Sequence, residues 1–162
     1  MKKVYVRWMS AFAGRSYSIK DALRFEMSRT DEAACEPLIR TNHGWYSGVA
    51  NINQIGLILR NESIFREFRR DCWSFYGQYE RKNSRYAKKD QNPSRLYPGR
   101  VNPCSNHGEA WAKMPNAVIG FVVYGSVFEL KEERRNALLK VAHRHNLPVY
   151  DLTRKGELIE RR

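Results

Sequence analysis

"NAVIGFVVYGSVFELKEERRNALLKVAHRHNLPVYDLTRKGELIE", residues 116–160, decides the class of fold. "NAVIGFVVYGSVFEL" (116–130) is a nearly continuous run of apolar β-formers, the pattern of a buried strand. Residues 131–146 carry Leu138, Val141, Ala142 and His145 at helical spacing, so a helix follows, with His145 packed or capping. "LPVYDL" reads as a strand again. "TRKG" is a turn and "ELIE" a short return strand, so the chain is expected to close on a hairpin.

Working back from that unit, "KKVYVRWMSAF" (2–12) alternates Val4, Val6 and Trp8 with Tyr5, Arg7 and Met9. Period two with β-branched residues predicts a first strand. In "SIKDALRFEM" (18–27), Ile19, Ala22, Leu23 and Met27 share one helical face, and Ser18 with Asp21 three residues later makes an N-terminal cap. Thr30 precedes a second helical turn that Pro37 would disturb. "GWYSGVANINQIGLIL" (44–59) reads as extended chain punctuated by Gly44, Gly48 and Gly56, with His43 as a turn residue. Asn61 is placed to cap a long helix from Glu62 to Lys82. Residues 83–116, with Pro93, Pro98 and Pro103, read as an irregular surface segment.

This order predicts an α+β protein with a ferredoxin-like (βαββαβ-type) sheet. Residues 1–162 form one domain, with 60–116 as a basic helix-plus-loop insertion. A Rossmann-like α/β arrangement is the alternative, since strand–helix–strand units also build a parallel sheet. The closing hairpin favours the first.

Charge is the strongest signal bearing on function. The 162 residues carry 29 Lys and Arg against 17 Asp and Glu, a formal net charge of +12. Such an excess on one small domain favours polyanionic partners. Half of it falls between residues 60 and 100, where eleven basic residues meet five acidic ones. On a helical wheel from Ile64, the residues Ile64, Phe65, Phe68, Cys72, Phe75, Tyr76 and Tyr79 span an arc of about 120°, a core-facing side. Trp73 falls opposite, among Arg66, Arg69 and Arg70. Arginines neutralise phosphates while an indole stacks on an unpaired base; an Arg–Trp cation–π cluster is the structural counterpart. The candidate nucleic-acid contacts are thus Arg66, Arg69, Arg70, Trp73, Arg81, Lys82, Arg85, Tyr86, Lys88 and Lys89. The partner is DNA or RNA; an acidic protein surface is a further possibility, and homo-oligomerisation stays open.

Catalytic signals are sparse. "SNHGEAW" (105–111) sets His107 and Glu109 two apart, an acid–base pair if the protein is an enzyme. His143 and His145 point about 200° apart on a helix and share no metal. Cys35, Cys72 and Cys104 are odd in number and form no Cys-x-x-Cys, so neither a disulfide framework nor a zinc site is expected. No glycine-rich phosphate loop is present, and no cofactor is expected. "MKKVYVRWMSAF" lacks a continuous apolar core, so no secretory leader is read, and no apolar run is long enough to span a bilayer. A cytoplasmic protein is expected.

In "SAF" after the first strand, in Gly44-Trp45-Tyr46-Ser47-Gly48, and in the final "ALLKVAHRHNLPVYDLTRKGELIE", the chain resembles the phage S-adenosylmethionine lyases over about half its length. That resemblance implies a ferredoxin-like, PII-related fold, a phage origin with action on host defence in the host cytoplasm, and ligand contacts at Ser10 and Tyr46. The family's pattern has a glutamate soon after the Gly-x-Tyr-x-Gly turn; here Val49, Ala50 and Asn51 follow, and Glu109 is the substitute. "NAVIGF", the helix and "LPVYDL" also resemble Rossmann-like nucleotide-binding proteins of the lysine-decarboxylase-like group, without their Gly-Gly-x-x-Gly signature. Three functions follow: a basic nucleic-acid-binding protein acting on or against host machinery, a SAM lyase-like enzyme, and an inhibitor docking on an acidic protein.

Overall fold

The computed structural model describes residues 3–9, 18–42, 44–47, 50–68 and 109–161. Among these residues it is an α+β structure: one eight-stranded, mostly antiparallel sheet, a two-stranded hairpin and two α-helices. The strands are β1 (Tyr5–Trp8), β2 (Glu32–Pro37), β3 (Ile39–Thr41), β4 (Gly44–Tyr46), β5 (Ile55–Leu59), β6 (Ile64–Phe68), β7 (Glu109–Lys113), β8 (Val118–Tyr124), β9 (Val149–Leu152) and β10 (Leu158–Arg161). The helices are α1 (Ile19–Met27) and α2 (Glu132–His145). The large sheet runs β10-β9-β8-β5-β1-β2-β7-β6, and β3 pairs with β4 as a separate hairpin.

The 116–160 stretch keeps the expected order of strand, helix and hairpin, but its first strand ends at Tyr124 and Val127–Glu129 form a 3₁₀ turn. β8 is buried along Gly120–Val123 because it lies between β5 and β9 with both faces covered. Helix α2 then returns the chain so that β9 lies beside β8, the one parallel pair among the described strands. α2 ends where Asn146 adopts a left-handed conformation (φ 53°), which lets Leu147 N–H reach the Ala142 carbonyl at 2.9 Å. β9 and β10 form the closing antiparallel hairpin, Leu158 opposite Leu152 and Arg161 opposite Val149. One expectation here is corrected: His145 is exposed, because the buried face of α2 consists of Leu138, Val141 and Ala142.

At the other end, α1 starts as expected. The Ser18 hydroxyl accepts the Asp21 N–H at 3.1 Å, satisfying one of the donors a helix start leaves open. α1 and α2 pack on the same face of the sheet. Ile19, Ala22 and Leu23 join Leu138, Val141 and Ala142 over Tyr5, Leu57, Phe121 and Val123 in the larger core. The opposite face carries a smaller core of Val4, Val6, Leu38, Trp45, Ile58, Val122 and Leu152. The β3–β4 hairpin caps that face. It is held where Trp45 N–H donates to the Gly156 carbonyl at 2.8 Å. Gly44 has φ 110°, and a Cβ there would stand 2.5 Å from the Gly156 oxygen. Only glycine lets these two turns touch.

Two segments differ from their expected state. The stretch after Thr30 is not a helical turn but strand β2, despite its Ala and Glu residues. Its backbone is paired on both sides: Glu32–Cys35 with β7, and Glu36 and Pro37 with β1. Pro37, lacking an N–H, sits at the strand's end. Likewise the helix expected from Glu62 is, over 62–68, a 3₁₀ turn at Asn61–Ser63 followed by strand β6. The remainder of that expected helix, and most of the irregular segment, lies outside the described residues; its final part holds β7. Among the described strands β6 is at the edge of the sheet, paired with β7. Because β2 divides its pairing between β1 and β7, the β7–β6 end comes back toward the start of β1, and Ile64 packs on the same core as Tyr5.

Candidate functional site

Two places on this fold gather chemistry. The first is the β6 edge. The β6–β7 register shifts between Ile64 and Arg66, so Phe65 is the extra residue of a bulge. A bulge breaks the in–out alternation and re-aims a side chain. The Phe65 ring, expected in the core, is therefore 45 % exposed. Lys113 Nζ of β7 stands 5.7 Å from its centroid, within cation–π range. Phe65 and Arg66 share an open cleft of about 360 Å³ with Ile64, Asn61, Lys3 and Tyr5. Lys3 Nζ lies 5.5 Å over the Tyr5 ring. Two cations, Lys3 and Arg66, and an exposed aromatic thus meet in one concavity, with Lys113 over the aromatic ring, at the root of the segment that carries half the net charge.

Charge distinguishes this cleft from a larger depression of about 570 Å³ between α2 and β10, where Arg161 is offset by Glu160. Arg161 is moreover drawn toward buried Asp151, its Nε 2.7 Å from the carboxylate.

The second place is a buried carboxyl. Glu36 on β2 points to the same face as its partner Val6 and is 5 % exposed. One oxygen, Oε1, accepts the Trp8 indole N–H at 2.8 Å and the Ser47 hydroxyl. Ser47 Oγ in turn accepts the Ala50 N–H at 3.0 Å, which commits the hydroxyl proton to Glu36. The other oxygen, Oε2, is buried with no hydrogen-bond partner. Burial pushes the carboxyl up from its ordinary value to about 7, against the downward pull of Ser47 and Trp8. Trp8 reaches Glu36 because its β5 neighbour is Gly56: a Cβ there would stand 2.8 Å from Trp8 Cε3 and 2.5 Å from Val6 Cγ1. A group that exchanges its proton near neutrality, next to a hydroxyl, has the properties of a general acid or base.

The residues expected from the sequence fall unevenly on this picture. Arg66 is exposed, but on strand β6 opposite Trp111, not on a helix beside Trp73. Glu109 opens β7 opposite Phe68, and Tyr46 closes β4 opposite Ile39. Ser10, Arg69, Arg70, Trp73, Arg81, Lys82, Arg85, Tyr86, Lys88, Lys89 and His107 lie outside the described residues. Phe65, Lys113, Asn61 and Lys3 were not among the expected contacts, nor was Glu36 among the catalytic candidates. In "EAACEPL" period two groups Glu36 with Glu32, Ala34 and Leu38, a mixed face that carries no signal of a buried carboxyl.

Among the described residues, no group of three or more His, Cys, Asp or Glu is placed to hold a metal ion, and no helix is long and apolar enough to cross a membrane. No protein-family model matches the chain, and no curated protein matches it.

Proposed function

We propose that this protein binds nucleic acid through the β6 edge and the basic 60–100 segment that begins there. The observation that carries the proposal is the cleft at β6, lined by exposed Phe65 with Arg66 and Lys3, and with Lys113 over the Phe65 ring. Cations there neutralise phosphates and release counterions, and an aromatic ring offers a stacking face. Arg69, Arg70, Arg81, Lys82, Arg85, Lys88 and Lys89 extend the phosphate contacts, with Trp73 and Tyr86 as further stacking groups. Action on or against host machinery in a host cytoplasm belongs to this proposal through the resemblance to phage proteins. The test is an electrophoretic shift assay with single- and double-stranded DNA and RNA. Affinity should fall steeply with salt, and further in a charge-reversed Arg69→Glu/Arg70→Glu variant. Affinity indifferent to both removes the reading. Capture of an acidic protein that survives nuclease treatment supports docking on protein instead.

One observation favours a second reading, a SAM lyase-like enzyme with a ferredoxin-like relationship. Ser47, in the Gly44–Gly48 turn that resembles that family, donates to Glu36. A carboxyl therefore meets this turn through the fold, although none follows it closely in sequence, and Glu36 takes the place assigned to Glu109. Incubation with S-adenosylmethionine should then release methylthioadenosine, and Glu36→Gln should abolish the release. Absence of turnover in the unaltered protein excludes this reading.

A further inference from the structure

We infer that the cleft between β1 and β6 receives a single unpaired base, so that the preferred ligand is single-stranded nucleic acid. The inference rests on the nucleic-acid reading above and specifies its ligand using described residues alone.

An exposed aromatic ring grips the face of a base. In a duplex the faces of the bases are covered by their neighbours, and a protein meets only base edges and phosphates. The face of a base is offered only when the strand is open. Phe65 has no hydrogen-bonding group with which to read an edge. Its ring is turned outward by a strand bulge, 45 % exposed, at the rim of a concavity. The cleft of about 360 Å³ lies at the small end of the range of about 300–1,000 Å³ typical of small-ligand sites. It suits one splayed-out base better than the convex flank of a helix.

The surroundings supply the other contacts. Lys113 Nζ stands over the ring, 5.7 Å from its centroid, and so adds a positive charge beside the aromatic for a neighbouring phosphate. Lys3 and Arg66 line the cleft, so the strand meets cations on entering and leaving. Asn61 brings an amide, able both to donate to and to accept from a base edge. Glu62 is the exposed acid beside Asn61, outnumbered by these three cations. Stacking with little edge reading makes the site tolerant of sequence.

The experiment is fluorescence anisotropy on the full chain. The probes are a labelled oligothymidylate, oligouridylate, the oligothymidylate paired with its complement, and an abasic sugar–phosphate strand of equal length. Single strands should bind about tenfold or more tighter than the duplex. Phe65→Ala should weaken single-strand binding by about 5- to 100-fold and leave the duplex and abasic strand unchanged. Phe65→Trp should restore it, and Lys113→Ala should weaken every probe. Phe65 is exposed, so these variants should keep the unaltered circular dichroism and melting curve. Equal affinity for single strand and duplex, or a Phe65→Ala loss shared equally by the abasic strand, overturns the inference while leaving the nucleic-acid reading intact. Failure of every probe to bind at low salt overturns both. The two single-stranded probes separate a DNA ligand from an RNA ligand.

Discussion

The indole N–H of Trp8 donates to the carboxyl of Glu36 at 2.8 Å across adjacent strands, while the other oxygen of that carboxyl is buried without a partner. One oxygen is held and the other is left without compensation for lost water, so the proton is retained to about pH 7. In the folded state Glu36 binds its proton more tightly than the unfolded chain does, whose ordinary value is 4.5. Its contribution is therefore fully present below about 4.5, declines as pH rises, and is gone above about 7. Urea denaturation at pH 5 and pH 8 should show a decline of up to about 3 kcal/mol. Glu36→Gln should flatten that difference; an equal decline in the variant would assign it to other groups.

The contact between Trp8 and Glu36 depends on an absent side chain. Gly56→Ala would drive a methyl into Val6 and the Trp8 ring, both closer than atoms tolerate. The variant should lose about 1–3 kcal/mol of stability. Its tryptophan emission should shift as Trp8 leaves its place beside Tyr124 and Glu36. Unchanged emission would mean that the sheet yields instead of the indole.

Asp151 is the most deeply buried acid among the described residues, 0 % exposed on β9. It accepts Val127 N–H at 2.8 Å and Arg161 Nε at 2.7 Å, tying the turn after β8 to the last strand. Asp151→Ala would orphan a buried N–H and release Arg161, at a cost of about 3–5 kcal/mol. Arg161→Ala, removing the half-exposed partner, should cost clearly less. Thermal melts of the two variants settle the order.

A graded comparison is available at the junction of α1 with the sheet. Buried Glu26 accepts Arg7 Nε at 2.7 Å and Arg29 Nη1 at 3.0 Å, while Arg29 also grips Asp31 at 2.7 Å from solvent. The Arg29 guanidinium holds the Asp31 carboxyl below its ordinary value. Even so, an exposed pair adds little to stability, whereas a buried acid between two cations matters. Glu26→Gln should lower the melting temperature by several degrees and Asp31→Asn by much less. Equal losses would show that Glu26 is solvated in solution.

What could be read from the sequence follows the range of the interactions involved. β1, α1, β8, α2 and the β9–β10 hairpin are set by local signals: period-two alternation, the Ser18 cap, a continuous apolar run and a turn. β2 and β6 were misread because their strand state comes from distant partners. In "EAACEP" the Ala and Glu residues favour a helix, yet pairing with β1 and β7 overrides that preference. In "SIFREF", Ile64, Phe65 and Phe68 also fit one helical face, and the partner strand lies beyond residue 108. The same misreading concealed the cleft. A helix would bury Phe65, whereas the bulge that exposes it exists only against β7. The basic excess of residues 60–100, by contrast, was plain from composition.

The uneven spacing of partners along the chain also bears on the order of assembly. β8, α2, β9 and β10 are consecutive, so their contacts close short loops, and contacts of this kind form early in folding. Cys35 on β2 must instead find Ala110 on β7 across the whole central part of the sequence, and among the described strands β6 joins the sheet through β7 alone. That edge should be the last to form and the first to exchange its amide hydrogens. If so, the surface assigned here to ligand is the part of the sheet whose opening costs least, and a bound strand would slow its hydrogen exchange well before it changed the global unfolding rate.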